Sequence, residues 1–382
     1  MIYLDNAATT VHKPQVVIDA VVDALKHLGN AGRGATDESL QSARTVFSAR
    51  EEINTLINGE DARQIAFSLN VTEALNTAIR GLLHPGDHVI SSVMEHNSVI
   101  RPLNDLQDKG VEVTYLPMSK DWCISPEDVL KALKPNTKAL VLTHASNVTG
   151  NINPIKEIVQ ALAGRNILVI LDAAQSAGAI PIDVQDLGVD VLCFTGHKSL
   201  LGPQGTGGLY VRKGLTIDVL KSGGTGVETF NPHQPLAMPT HLEAGTLNGH
   251  GLAGLAAAVE YILNIGVENI HQEELQLMNK FYQAVTEMEE VKVYGNFNKD
   301  KCPIVSLNIG DWDSSEVSDR LLEDFGIATR SGGHCAPLMH QALGTVDQGL
   351  VRFSFSHFTT EEEVEEAIKA VRSLAEEYRQ MK

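Results

Sequence analysis

Between about residue 65 and residue 212 the chain alternates short, unbroken apolar runs with longer stretches whose apolar residues recur every three or four positions. An unbroken Val/Ile/Leu run fits a strand covered on both faces, and strands separated by helical stretches pair in parallel through crossovers. Strands are expected on this pattern over residues 88–94, 111–117, 139–146, 167–174, 190–196 and 207–212. Helices are expected over 72–83, 98–109, 126–133 and 154–163. Repeated strand and helix units of this kind make an α/β domain with a mainly parallel sheet.

Residues 215–250 break the pattern, being rich in Gly, Pro, Thr and His with little periodicity, as in a linker or the rim of a site. Beyond them, 252–265 and 271–288 read as long helices, 304–309 and 350–356 as strands, and 360–381 as a charged helix whose acidic cluster lies at its start. A chain of 382 residues exceeds one small core. A large domain over 16–250 and a smaller α+β domain made of 1–15 and 251–382 are therefore expected.

Lys and Arg number 30 against 48 Asp and Glu, and the net charge of −18 repels a phosphate backbone, so no nucleic-acid partner is expected. The first residues form no basic, apolar leader, and no stretch approaches 18 uninterrupted apolar residues. No membrane association and a cytoplasmic location are expected. Cys123, Cys193, Cys302 and Cys335 have neither paired close spacing nor the density of a disulfide scaffold.

In a doubly wound sheet ligands bind outside the carboxyl ends of the strands. Polar residues stand at or just past the ends of three expected strands there: Asn147, then Asp172, then Thr195, His197 and Lys198. An amide, a carboxylate and an amine thus meet at one rim. Such a set suits a pyridine cofactor carrying an aldehyde, because an anion keeps the ring nitrogen protonated, an amine holds the aldehyde, and other donors take a phosphate. Singly, Asp172 is as readily a helix cap and Lys198 a surface lysine. The stretch Ser68-Leu69-Asn70-Val71-Thr72-Glu73 opens a helix whose free N–H groups favour an anion, or is a plain cap. In Arg330-Ser331-Gly332-Gly333-His334-Cys335-Ala336-Pro337, paired glycines give backbone freedom to a thiol whose basic neighbours favour thiolate. A structural thiol or a metal site from His334, Cys335 and His340 competes, but a second ligand cluster is missing and no metal is expected.

Taken together, Leu4-Asp5-Asn6-Ala7-Ala8-Thr9-Thr10, Asn70-Val71-Thr72-Glu73-Ala74-Leu75-Asn76, Glu95-His96-Asn97, Asp172-Ala173-Ala174-Gln175, Thr195-Gly196-His197-Lys198 and Glu243-Ala244-Gly245-Thr246 resemble the class V aminotransferase-fold enzymes. The match in order and spacing covers nearly the whole chain. With residues 330–337 it points to the cysteine desulfurase and selenocysteine lyase branch, and the short cysteine loop is similar to the second desulfurase group. Two departures stand out: Gly333 replaces a common histidine, and the 215–245 connection is shorter than in that group's best-known members.

The resemblance implies the fold type I architecture of pyridoxal 5'-phosphate (PLP) dependent transferases, with a seven-stranded-type sheet. It implies that Lys198 binds PLP as a Schiff base, Asp172 pairs with the pyridine nitrogen, and His96 stacks on the ring and assists proton transfers. Asn147 and Gln175 would contact the ring hydroxyl side. Val71, Thr72, Thr195 and His197 would hold the phosphate, and Thr246 would reach the phosphate of the neighbouring subunit in a homodimer. Arg352 would clamp the substrate carboxylate through its planar fork, with Asn30, Ala8 and Arg330 lining the pocket. Cys335 would take sulfur from L-cysteine as a persulfide, releasing L-alanine, and pass it to an acceptor protein. The alternatives are a lyase acting on L-selenocysteine, a transaminase or β-eliminating enzyme of the same fold, and a noncatalytic sulfur-relay scaffold.

Overall fold

The computed structural model describes residues 1–29 and 37–382. Its strands in chain order are β1 (Ile2–Tyr3), β2 (Ile65–Ser68), β3 (His88–Ser92), β4 (Glu112–Leu116), β5 (Thr137–Thr143), β6 (Leu168–Asp172), β7 (Val191–Thr195), β8 (Gly207–Val211), β9 (Val291–Tyr294), β10 (Ile304–Ile309), β11 (Ile327–Ala328) and β12 (Val351–Ser354). Its helices are α1 (Gln15–His27), α2 (Asp37–Leu56), α3 (Val71–Leu82), α4 (Asn97–Gln107), α5 (Pro126–Lys131), α6 (Ile155–Ala161), α7 (Val184–Leu187), α8 (Gly249–Ile265), α9 (Val267–Thr286), α10 (Ser314–Phe325), α11 (Pro337–Leu343) and α12 (Glu361–Met381).

Seven strands form one sheet in the order β2-β8-β7-β6-β5-β3-β4. All run parallel except β8, which is antiparallel to both neighbours. The apolar runs divide between two buried clusters, one on each face. On β5, Leu140 and Leu142 join one cluster and Ala139 and Val141 the other; on β7, Leu192 and Phe194 part in the same way from Val191 and Cys193. Successive side chains of a strand point to opposite faces, so a strand covered twice stays apolar along its length and turns polar only at its end. This is why the site residues sit at strand ends.

The smaller sheet, β12-β10-β9, is antiparallel. Its core joins Leu4, Phe281, Phe353 and Leu374, with the rings of Phe281 and Phe353 4.6 Å apart. The acidic start of α12 is a cap: Thr360 accepts from the Glu363 N–H while the Glu363 carboxylate accepts from the Thr360 N–H. Helix α8 packs on α1 and α2, and its Leu252, Leu255 and Val259 belong to the cluster that covers the large sheet. On this packing we propose that the lobes part at Gly266, between α8 and α9, rather than at residue 250. No single helix among the described residues is long and apolar enough to cross a membrane.

The N-terminal segment ties the lobes together. Ser354 N–H donates to Leu4 O at 2.7 Å, Asn6 Nδ2 to Ser354 O at 2.9 Å, and Thr10 N–H to His197 O at 3.1 Å. Residues 7 and 8 are thereby carried across the edge where the parallel strands end.

Candidate active site

Because β5, β6 and β7 are parallel, their carboxyl ends share an edge, and a cavity of about 290 Å³ opens there. The strand ends bring Asn147, Asp172, Gln175, Thr195, His197 and Lys198 to its wall. The start of α3 adds Val71 and Thr72, and the residue before α4 adds His96. Ala8 from the N-terminal segment, with Arg330 and Arg352 from the small lobe, closes the remaining side.

Lys198 is partly buried in the cavity wall, and desolvation there lowers its ammonium to about 8 against the pull of Asp172. Its Nζ has no hydrogen-bond partner among the described residues. Asp172 is 3% exposed and its Oδ1 accepts from the Ala174 N–H at 2.9 Å. Burial raises its carboxyl above the ordinary value, while that hydrogen bond and Lys198 pull it back. No helix follows Asp172, so the cap that the sequence left open is not what holds it.

His96 is fixed in one protonation state by its place in the chain. It caps α4, its Nδ1 accepting from the Ser98 N–H at 3.0 Å. A ring whose Nδ1 accepts carries its proton on Nε2 when neutral. Burial and the nearby Lys198 lower it to about 4, so it stays neutral. His197 is also lowered to about 4, by burial first and Lys198 second, and its Nδ1 lies 3.0 Å from Thr9 Oγ1.

Groups able to hold an anion lie beside these. Asn70, rather than Thr72 or Glu73, caps α3: its Oδ1 accepts from the Glu73 N–H at 3.0 Å, and Glu73 accepts from the Leu69 N–H at 2.7 Å. The signal was in the sequence, as an Asn three residues before a Glu at the head of an apolar helix. The cap leaves the Val71 and Thr72 N–H groups free at the cavity wall. Nearby, Thr195 Oγ1 is buried with no partner among the described residues. Ser98, which the sequence reading missed, links the groups: its Oγ lies 2.8 Å from Thr72 Oγ1 and 2.9 Å from His96 Nδ1. Thr143 and His334 also line the cavity unforeseen.

The two arginines differ. Arg352 is 2% exposed, and its fork is already engaged, donating to Asn147 O at 2.8 Å and Asp5 Oδ1 at 2.9 Å, with Nε left unpartnered. Arg330 is exposed and its guanidinium has no partner among the described residues. The amides expected at the ring hydroxyl side also make structural bonds: Gln175 Nε2 donates to Ala7 O at 3.0 Å and Asn147 Nδ2 to His334 O at 2.7 Å.

Three expected residues are not in this wall. Thr246 is exposed and lines separate cavities of about 1060 and 230 Å³. Asn30 lies outside the described residues. Cys335 is an exposed free thiol at the lip, with its backbone carbonyl accepting from the Asn97 N–H at 2.7 Å. His334 and Cys335 have φ of +49° and +55°, the one adjacent pair of non-glycine residues with positive φ among the described residues. Such conformations cost on the order of 1–3 kcal/mol each and persist only where surrounding contacts over-determine them.

The family profile described as aminotransferase class-V matches residues 2–367. A probable cysteine desulfurase of Methanothermobacter thermautotrophicus is 34% identical over 372 residues, spanning 95% of this chain and 92% of that protein. An apo cysteine desulfurase from Thermococcus onnurineus superposes with a TM-score of 0.91 at 30% identity, covering 98% of this chain and 94% of the other. The cysteine desulfurase CsdA of Escherichia coli, in its S-sulfonic acid form, gives 0.88 at 28% identity with the same coverage. The chain belongs to the class-V aminotransferase family, on the branch that holds these cysteine desulfurases.

Proposed function

We propose that this protein is a PLP-dependent cysteine desulfurase that converts L-cysteine to L-alanine and leaves a persulfide on Cys335 for transfer to an acceptor protein. The observation that carries this reading is an exposed thiol tethered to the lip of a cavity holding a half-buried, unpartnered amine and a buried carboxyl. The chemistry of the wall fits PLP. Lys198 suits the aldehyde, Asp172 the ring nitrogen, and neutral His96 the ring face. The free N–H groups of Val71 and Thr72, the orphan Thr195 hydroxyl and His197 suit the phosphate.

Bound there, the cofactor supplies an electron sink for the substrate carbanion. Lys198, held near 8, exists partly as free amine at neutral pH and accepts the substrate's α proton. Arg352, with Arg330 beside it, orients the substrate carboxylate. Thiolate at Cys335 then forms an S–S bond to the substrate sulfur. The Cβ–S bond breaks with its electron pair left on carbon, and a proton on that carbon completes alanine. His96, neutral, assists these transfers by donating a hydrogen bond from Nε2. A homodimer completes the site, with Thr246 reaching the neighbouring subunit's phosphate position, and the enzyme works in the cytoplasm.

The test is to incubate the purified, cofactor-loaded protein with L-cysteine and measure alanine together with sulfide. Cys335→Ala should lose both products by at least about a hundredfold while keeping the visible cofactor absorbance. Full retained desulfuration would defeat the assignment, and turnover of selenocysteine alone would make it a selenocysteine lyase.

A further inference from the structure

The thiol points outward because its neighbour points inward. Cys335 is exposed, whereas His334 beside it is 4% exposed. Both occupy the left-handed region, so the thiol's direction depends on what holds the buried imidazole. From the cavity side the loop is held by its carbonyls, with Asn147 Nδ2 donating to His334 O and the Asn97 N–H to Cys335 O, each at 2.7 Å.

From the other side it rests on a row that leads from Arg330 and His334, in the cavity wall, to His340 and Thr345, which lie outside it. His334 Nε2 lies 3.1 Å from Arg330 O, a pure acceptor, so Nε2 carries the proton and Nδ1 accepts. That Nδ1 faces His340 Nε2 at 3.5 Å, and the two rings lie 13° from parallel with centroids 5.7 Å apart. His340 Nδ1 in turn lies 2.9 Å from Thr345 Oγ1 and 3.3 Å from Thr345 O, a carbonyl that already accepts from the Gly349 N–H at 2.9 Å. One proton order uses the shorter contact at each step: the Thr345 hydroxyl donates to His340 Nδ1, His340 Nε2–H to His334 Nδ1, and His334 Nε2–H to Arg330 O. It requires both rings to be neutral, in keeping with burial, which lowers both.

We propose that His340 is a positioning residue for sulfur transfer, holding the Cys335 thiol in line with the substrate sulfur through His334, with Thr345 fixing its tautomer. The proposal rests on the reading of Cys335 as sulfur acceptor. His340 is buried on α11 and does not line the cavity, so substrate binding and the Lys198 region should not depend on it.

The experiment follows persulfide formation on Cys335 by mass spectrometry after mixing cofactor-loaded enzyme with L-cysteine. Wild type is compared with His340→Ala, His340→Gln, Thr345→Val and Cys335→Ser. His340→Ala should slow persulfide formation about ten- to a hundredfold, with KM for L-cysteine and the visible absorbance unchanged. His340→Gln, whose amide can still donate to His334, should recover most of the rate, and Thr345→Val should lose less than His340→Ala. If His340→Ala forms persulfide at the wild-type rate while Cys335→Ser is inactive, the positioning role is overturned and the desulfurase reading stands. If Cys335→Ser still releases alanine and sulfide, the desulfurase reading itself falls. Equal losses of absorbance, binding and rate would make His340 a general packing residue and overturn the proposal. Should His340→Ala fail to fold, His340→Gln and Thr345→Val are judged in its place: a loss of persulfide rate in Thr345→Val at constant KM supports the role, and wild-type rates in both overturn it.

Discussion

Lys198 and Cys335 sit at opposite extremes of the same site. Lys198 follows the end of β7, deep in a wall built by the central strands, and Asp172 closes the adjacent strand. Cys335 stands on a solvent-exposed loop of the small lobe, held by hydrogen bonds to backbone carbonyls and by the imidazole of His334. On the proposed function, the difference follows from what each would do. An electron-sink site works through charges fixed and desolvated before the reaction begins, which a doubly covered parallel sheet provides. A thiol that hands its sulfur to another protein has to be reachable, and reachability is incompatible with such burial.

The sharpest way to break this contrast is to remove the amine. Lys198→Ala should abolish turnover by at least about 10³-fold and shift the cofactor's visible band, whereas the Cys335 variants leave that band intact. An unshifted band in Lys198→Ala would mean that this amine does not hold the cofactor. Asp172→Asn keeps the shape but removes the anion, and should cost about 10²-fold in kcat. A variant with kcat near that of wild type would show that the buried carboxyl is structural.

Two glycines extend the contrast to stability. A Cβ on Gly208 of β8 would lie 2.5 Å from Ala66 O and 2.8 Å from the Phe194 ring, so Gly208→Ala should cost roughly 1–3 kcal/mol in denaturant unfolding. Gly333, in the loop, has nothing within 4 Å of its Cβ position, and Gly333→Ala should change stability by less than about 0.5 kcal/mol. Similar losses at both would contradict the picture of a tight sheet and an open loop. The last effect concerns protons. With Lys198 near 8, its neutral fraction grows as pH rises, so PLP capture by cofactor-free protein should quicken about tenfold between pH 7 and 9 and then level off. His96 and His197, both near 4, do not titrate in that window. A rate still climbing toward pH 10.5 would place the lysine in water.

Much of the large sheet was legible because its strands carry their own signal. The runs at 167–174 and 190–196 contain β6 and β7, the run at 139–146 overlaps β5 with its start two residues late, and the polar residues at or after their ends line the cavity. Strand β2 and helices α1, α2, α10 and α11 fall where no element was foreseen. Helices α1 and α2 owe their places to packing against α8, more than 190 residues away in the chain. Sequence patterning carries no such pairing.

The sequence by itself determined the layered sheet and the polar cavity wall at its strand ends. Both follow from local rules: apolar residues alternate into two cores, and polarity is permitted only at strand ends, where Asp172 and Lys198 stand. Only the tertiary structure decided that His96 is a capped, neutral ring, that Arg352 is already engaged by Asp5, and that His334 and Cys335 are held in left-handed backbone. The physical reason is range. Burial patterns are written in neighbouring residues, whereas a tautomer, an ion pair or a strained loop is set by groups that folding brings together from distant parts of the chain.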